Sequence, residues 1–188
     1  MIDLVSRARR GDADAYATLV NGSLDRLYGA ACLILRDRSR AEDAVQDGLI
    51  RAWRELPRLR EVQRFDAWLR RIVVHAALDE LRRQRSRPQL SIPRGAEPVT
   101  YAEADLVIAR DTLERAFARI SADHRASLVL RHYLGLTIAE IALTLGIPTG
   151  TVTSRLHHAS QSLRAAIEAD DRGGARSQTA STAASIHL

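Results

Sequence analysis

Three sets of residues in this chain have types and spacing suited to recognition, and none has the arrangement needed to make or break bonds. The first is a basic set, Arg70, Arg71, His75, Arg82, Arg83 and Arg85, within FDAWLRRIVVHAALDELRRQRSR. At about 100° per residue on a helix, Arg71, His75 and Arg82 fall close to one stripe. Guanidinium groups grip phosphates bidentately and read base edges, so this stripe points to a polyanion. A solvated helix end favoured by the C-terminal dipole is the plainer account of RRQRSR. The second set is Thr149, Thr151, Thr153, Ser154, Arg155, His157 and His158, in TIAEIALTLGIPTGTVTSRLHHASQSLR. That stretch reads as short apolar helix, glycine turn and second helix, whose polar outer side could enter a DNA major groove. An ordinary αα-hairpin with a polar face is the alternative. The third set is the acids that open AEDAVQDGLIRAW. Acids are favoured at any helix start by the dipole, but set beside a basic helix end they suggest two partners of opposite charge.

Metal and covalent chemistry find little footing. His157 and His158 are adjacent, so they point about 100° apart on a helix and share an ion poorly. His124 and His132 have no carboxylate or thiol at ligand spacing. No nucleophile–base pair, glycine-rich phosphate loop or carboxylate pair stands out, so no enzyme, metal or cofactor is expected. The single cysteine, Cys32, excludes an internal disulfide, fits a reducing cytoplasm and reads as core filler.

The elements that must position these residues are helical. The chain has 188 residues, 46% of them hydrophobic and 27% charged, with a net charge of +5. No apolar run approaches the roughly 20 residues a membrane helix needs, and Met1 to Arg10 lacks a signal-peptide core. The positive charge is confined to residues 1–88, with 18 arginines against 13 acids, whereas residues 89–188 hold 10 of each. A short amphipathic helix from Ile2 to Arg9 closes at Gly11. A longer one spans Asp12 to Arg36, with Asn21-Gly22 as a candidate kink or break. A third starts with Ser39 and Glu42 at capping-box spacing and stops at Pro57. A fourth opens at Phe65 or Asp66, burying Leu69, Ile72, Val73, Ala76 and Leu81. Together they predict an all-α domain over residues 1–87.

Residues 88–103 hold three of the five prolines and no sustained period, which predicts a flexible linker. A second small helical domain is expected over residues 104–169. Ser121 caps one helix there, Gly135 ends it, and Thr137 with Glu140 forms a capping box for the next. Gly146 is the turn, and the last helix, starting at Pro148 or Thr149, runs to about Glu168. Residues 170–188 are small, polar and aperiodic, which predicts a disordered tail.

Taken together, AEDAVQDGLIRAW, FDAWLRRIVVHAALDELRR and DHRASLVLRHYLGLTIAEIALTLGIPTGTVTSRLHHA resemble the signatures of extracytoplasmic-function sigma factors, in the right order and separation over about residues 5–168. The resemblance implies a two-domain helical protein that directs bacterial RNA polymerase to promoters. It implies that Asp43, Gln46 and Asp47 contact the clamp coiled coil of core RNA polymerase. It further implies that Arg71, His75, Arg82, Arg83 and Arg85 serve the promoter −10 element. The loop Arg58 to Arg64 would receive a flipped base, an event whose unstacking costs a few kcal/mol. The helix-turn-helix set would meet the −35 element, and an anti-sigma factor is a common partner of such proteins. Trp53 and Trp68 read as core rather than as base-stacking platforms.

Two departures from the family pattern stand out. His75 replaces an asparagine found in many relatives, exchanging a bidentate adenine reader for one donor and one acceptor. The recognition helix has neutral side chains at Thr153, His158 and Ser160, where relatives usually carry basic ones, and only Arg155 and Arg164 are fixed charges. Weak −35 binding by the second domain alone is expected, since each absent phosphate contact lowers affinity and flattens the salt dependence. A conventional DNA-binding regulator, which has no need of the acidic helix, and a polymerase-binding decoy that starts no transcription are the competing classes.

Overall fold

The computed structural model describes the backbone of residues 1–86 and 114–185 and the side chains of 1–84 and 114–169. The linker expected over residues 88–103 lies outside the described residues. Helix α1 (Ile2–Arg9) is followed by Gly11 at φ +94 and by Asp12, whose carboxylate accepts from the Ala15 amide at 2.9 Å to start α2 (Ala13–Leu35). Arg36 closes α2 in the left-handed region at φ 55, its amide bonding to the Cys32 carbonyl at 2.8 Å. Helices α3 (Arg38–Glu55) and α4 (Phe65–Ser86) follow, joined through 3-10 turns at Leu56–Arg58 and Val62–Arg64.

Two local expectations need correction. The N-cap of α3 is Asp37, not Ser39; its side chain accepts from the Arg40 amide at 3.1 Å, and Ser39 lies inside the helix. Asp is as good a cap as Ser, and the left-handed turn at Arg36 presents it first. Nor do Asn21 and Gly22 interrupt α2. Both are exposed, while Leu19, Val20 and Leu27 around them are buried. That apolar anchorage outweighs the roughly 1 kcal/mol a mid-helix glycine costs.

The core of the first half is Leu27 and Ile34 of α2, Ala41, Ala44 and Ala52 of α3, Leu56, and Phe65, Leu69 and Val73 of α4. Helix α3 crosses α4 at Gly48, where a Cβ would stand 2.8 Å from the Val73 Cα. Only glycine lets the two backbones approach so closely.

The second half begins, among the described residues, with a helical stretch at 114–119, here α5, followed by α6 (Ala122–Leu128). Ser121 caps α6 by accepting from the His124 amide at 3.2 Å. The chain then widens into a π-helical turn, Val129–Tyr133, which Gly135 ends at φ +71. Helix α7 (Ile138–Leu145) carries the expected capping box of Thr137 and Glu140, and Gly146 turns at φ 66 into α8. Helix α8 runs Thr149–Ser185, so the helix continues through most of the stretch expected to be a disordered tail. The missing apolar period removed the usual signal, while the hydrogen bonds of a helix close within the element and need no buried face. No described helix is long and apolar enough to cross a membrane.

The two halves touch. Ala126, Val129, Leu130, Leu134, Leu136, Ile141 and Val152 join the first half's buried residues in one continuous apolar cluster. A smaller cluster, Ile120, Leu128 and Ala159, belongs to the second half alone.

Candidate functional site

The acidic set lies where the sequence places it. Asp43, Gln46 and Asp47 are all exposed on α3. Asp43 and Gln46 line a cleft between α2 and α3 whose floor is Leu24, Val45 and Leu49 and whose rim adds Asp25 and Glu42. Asp25 comes from another helix and carried no sequence signal. Tyr28 stands in this cleft, its hydroxyl 3.3 Å from a Glu42 carboxylate oxygen, and burial pushes its pKa up to about 12. The cleft is an acid-rimmed apolar trough, suited to a basic helical surface.

Asp47 looks the other way, toward α4, with a carboxylate oxygen 3.9 Å from the Arg83 guanidinium. The basic stripe is itself held by acids of its own helix. Arg82 bonds Asp79 at 2.7 Å, and the other Asp79 oxygen takes Arg51 of α3 at 3.2 Å. Arg83 meets Glu80 at 3.2 Å, and Glu80 lies 3.8 Å from Arg40. Such exposed pairs add only about 0–1 kcal/mol each, so their main effect is to restrict where the guanidinium groups point. Asp79 and Glu80 escaped the sequence reading, although their three-residue spacing to Arg82 and Arg83 was legible. Arg71 is exposed. Arg85 lies in α4, but its side chain is outside the described residues.

His75 departs most from a free basic face. It is half-buried, its Nε2 is shut off from solvent without a hydrogen-bond partner among the described residues, and its pKa is lowered, first by burial and then by Arg71. The backbone at Thr144 of α7 interacts with the ring. Arg70, its neighbour on this side, lies 3.6 Å from Glu140 of α7. The loop Arg58 to Arg64 and the start of α4 form one wall of a cleft floored by Leu59, Trp68 and Val74; Leu136, Glu140, Leu143 and Thr144 form the other. Trp68 packs against Phe65 with centroids 5.8 Å apart, and Trp53 against Tyr16 at 4.9 Å, so both indoles contribute to the core.

On α8, Thr149, Thr151, Thr153, Ser154, His157 and His158 are exposed and Arg155 is half-buried, while Val152 and Ala159 are buried beneath them. The pattern read from sequence therefore sorts correctly into inside and outside. His157 pairs with Gln161 at 3.0 Å, and the rings of His157 and His158 stand edge-on with centroids 5.7 Å apart.

Comparison with known proteins finds a family for each half of the chain. Residues 19–87 match the family model of Sigma-70 region 2, and residues 110–163 match that of Sigma-70 region 4. The extracytoplasmic-function (ECF) RNA polymerase sigma factor SigL of Mycobacterium tuberculosis is 34% identical over 169 residues, 84% of this chain and 94% of that one. SigW of Bacillus subtilis is 28% identical over 173 residues, 85% and 92% respectively. Among solved structures, the sigma factor RpoE in complex with the anti-sigma factor NepR from Bartonella quintana has the same fold. Its TM-score is 0.67 over 82% of this chain and 98% of that one, with 24% identity. CnrH, in complex with the cytosolic domain of CnrY, gives 0.60 over 89% and 96%, with 27% identity.

Proposed function

The chain belongs to the extracytoplasmic-function sigma factors of the sigma-70 family, and from that premise we propose how its own residues divide the work. A sigma factor binds core RNA polymerase and directs promoter-specific initiation through its regions 2 and 4. Here the acid-rimmed trough of Asp43 and Gln46, with Asp47 one turn on, takes the polymerase. Arg71, His75, Arg82, Arg83 and Arg85 hold the −10 element, where the melted strand can be gripped through phosphates and stacking. Thr149, Thr151, Thr153, Ser154, Arg155, His157 and His158 face the −35 element. Promoter opening uses binding energy alone, so the protein is not an enzyme, and its place of work is the cytoplasm. An anti-sigma partner is proposed by analogy with the RpoE–NepR complex.

The observation that carries this reading is the close crossing of α3 and α4 at Gly48. It holds the acidic face and the basic stripe on one rigid helix pair, joined by the Asp47–Arg83 contact. Run-off transcription with bacterial core polymerase over a promoter library tests it. Core-dependent transcripts with shared −10 and −35 sequences are expected, and Asp47→Arg should abolish them by placing a like charge against the polymerase and Arg83. Core binding without any transcript would support the decoy instead, and no core binding the plain DNA-binding regulator.

A further inference from the structure

The outer face of α8 is short of fixed charge but not of groups that can acquire one. Its exposed side chains are mostly hydroxyls, an amide and imidazoles, and the guanidinium groups beside them are Arg155, half-buried, and Arg164. Binding to a DNA backbone depends on cations that displace its condensed counter-ions. Imidazole is the side chain whose charge ordinarily changes between about pH 5 and 8. His157 and His158 stand side by side on this face, both exposed, with ring centroids 5.7 Å apart. Val152 and Ala159, buried on the inner side of the helix, fix which way the two rings point.

His157 Nε2 accepts from the Gln161 side-chain amide at 3.0 Å. Only the neutral ring can accept that bond, because an imidazolium has no lone pair. Half a turn of the amide presents its oxygen to a ring N–H instead, so Gln161 suits either state. The charged neighbours on α8 are Arg155 and Arg164. The elements packed on α8 bring Asp123, His124 and Arg125 from α6, Glu140 from α7, and Glu114, Arg115 and Arg119 from α5. Arg125 is engaged by the Ile34 and Phe117 carbonyls, Glu140 by Thr137 and Arg70, and Arg119 by the Ala166 carbonyl. Among the described residues no carboxylate pairs with either ring, so no resident anion supplies what an imidazolium would seek. Two imidazolium ions this close repel, and an anion set against both removes the repulsion. We infer that region 4 takes the −35 backbone through proton-linked contacts, in which His157 and His158 gain protons from solvent as they close on phosphate. The DNA-bound form then carries more protons than the free form, so affinity rises as pH falls and declines as pH rises. An arginine at either position would hold phosphate at any pH; the histidines make the hold conditional.

The inference rests on the reading of α8 as the −35 surface, and the test separates the two. Holoenzyme is assembled from core polymerase and full-length chain as wild type, as the pair His157→Gln with His158→Gln, and as the pair His157→Arg with His158→Arg. Fluorescence anisotropy reads affinity for a duplex −35 element, taken from a promoter chosen by run-off transcription, between about pH 6 and 8. Wild type should bind about ten-fold more tightly at the acid end, as imidazolium–phosphate contacts are completed there. The Gln pair should lose that gain. The Arg pair should bind tightly across the whole range, with a steeper salt slope. A pH response shared by wild type and the Gln pair would belong to the polymerase or to other residues, and would overturn the inference, as would a wild type that ignores pH. An Arg pair that leaves affinity and salt slope unchanged at every pH would show that α8 does not meet the −35 backbone, and the reading of that surface would have failed with the linkage built on it.

Discussion

The outer face of α8 is built from hydroxyls and imidazoles where DNA would invite guanidinium groups. Thr153 donates its hydroxyl to the Thr149 carbonyl at 3.1 Å, and Ser154 to that of Thr151 at 3.1 Å. Their donors are therefore used inside the helix, as short polar side chains on helices commonly do. On the proposed reading, phosphate binding by this face would fall mainly to Arg155, which is half-buried, and Arg164. The outward direction of Thr153 gives a gain-of-function test. Thr153→Arg should tighten promoter binding and add about one phosphate contact, steepening the salt slope by about 0.9. An unchanged slope in a salt titration would sink the argument. Residue by residue, the sequence placed these side chains correctly because helical period alone decides inside from outside. It missed Asp79 and Glu80 as holders of Arg82 and Arg83 because attention to one charge sign hides its counter-ions.

Among elements, the decisive unit is the α3–α4 pair. Alanine and glycine dominate the contact face of α3, through Ala41, Ala44, Gly48 and Ala52, and bulkier Leu69 and Val73 fill the space from α4. The consequence is a short axis separation at Gly48, with a Cβ 2.8 Å from Val73 backbone. Gly48→Ala gains helix propensity of about 1 kcal/mol, but backbone cannot move aside as a flexible side chain would. Overpacking of this kind typically costs about 1–3 kcal/mol. Net destabilisation in a urea melt is expected, together with weaker transcription, because the acidic and basic faces would be splayed. A melt unchanged or shifted to higher urea would count against the close crossing. The helix starts were only partly legible: Thr137, Ser121 and Asp12 cap as their residue types suggest. Ser39 does not, because Asp37 reaches the cap position first.

For the whole molecule, His75 ties folding stability to pH. Around its ring are Arg71, Asp79 and Arg82 of its own helix, Arg51 of α3 paired with Asp79, and the Thr144 backbone of α7, whose Glu140 is paired with Arg70. Burial disfavours the imidazolium, so the folded chain binds a proton at His75 less readily than the unfolded chain with the ordinary value of 6.5. Between the lowered value and 6.5 the unfolded chain carries more protons, and folding stability therefore falls as pH falls through that window. Acidification should lower the midpoint of a urea melt, and His75→Leu should remove the response. The measurement should stay above 4.5, the ordinary value for Glu140. The Glu140 carboxyl lies below that value because it accepts from Thr137, so its cap persists above 4.5 and is lost only in stronger acid. A melt that ignores pH across His75's window would contradict the burial of that ring.

The chain's order of residues was enough to determine two helical halves, their turn residues and most of their caps, the split between acidic and basic faces, and the inward and outward sides of the recognition helix. All of these follow from local periodicity and local hydrogen-bonding chemistry, which act within a few residues. Tertiary structure alone decided that Asp25 joins Asp43 in one trough, that Arg125 and Arg26 cap helices about a hundred positions away, and that α7 covers His75. Those contacts join residues with no shared period. They depend on which carbonyls the helix ends leave open and on which apolar faces remain to be covered, and these become defined only when the elements pack.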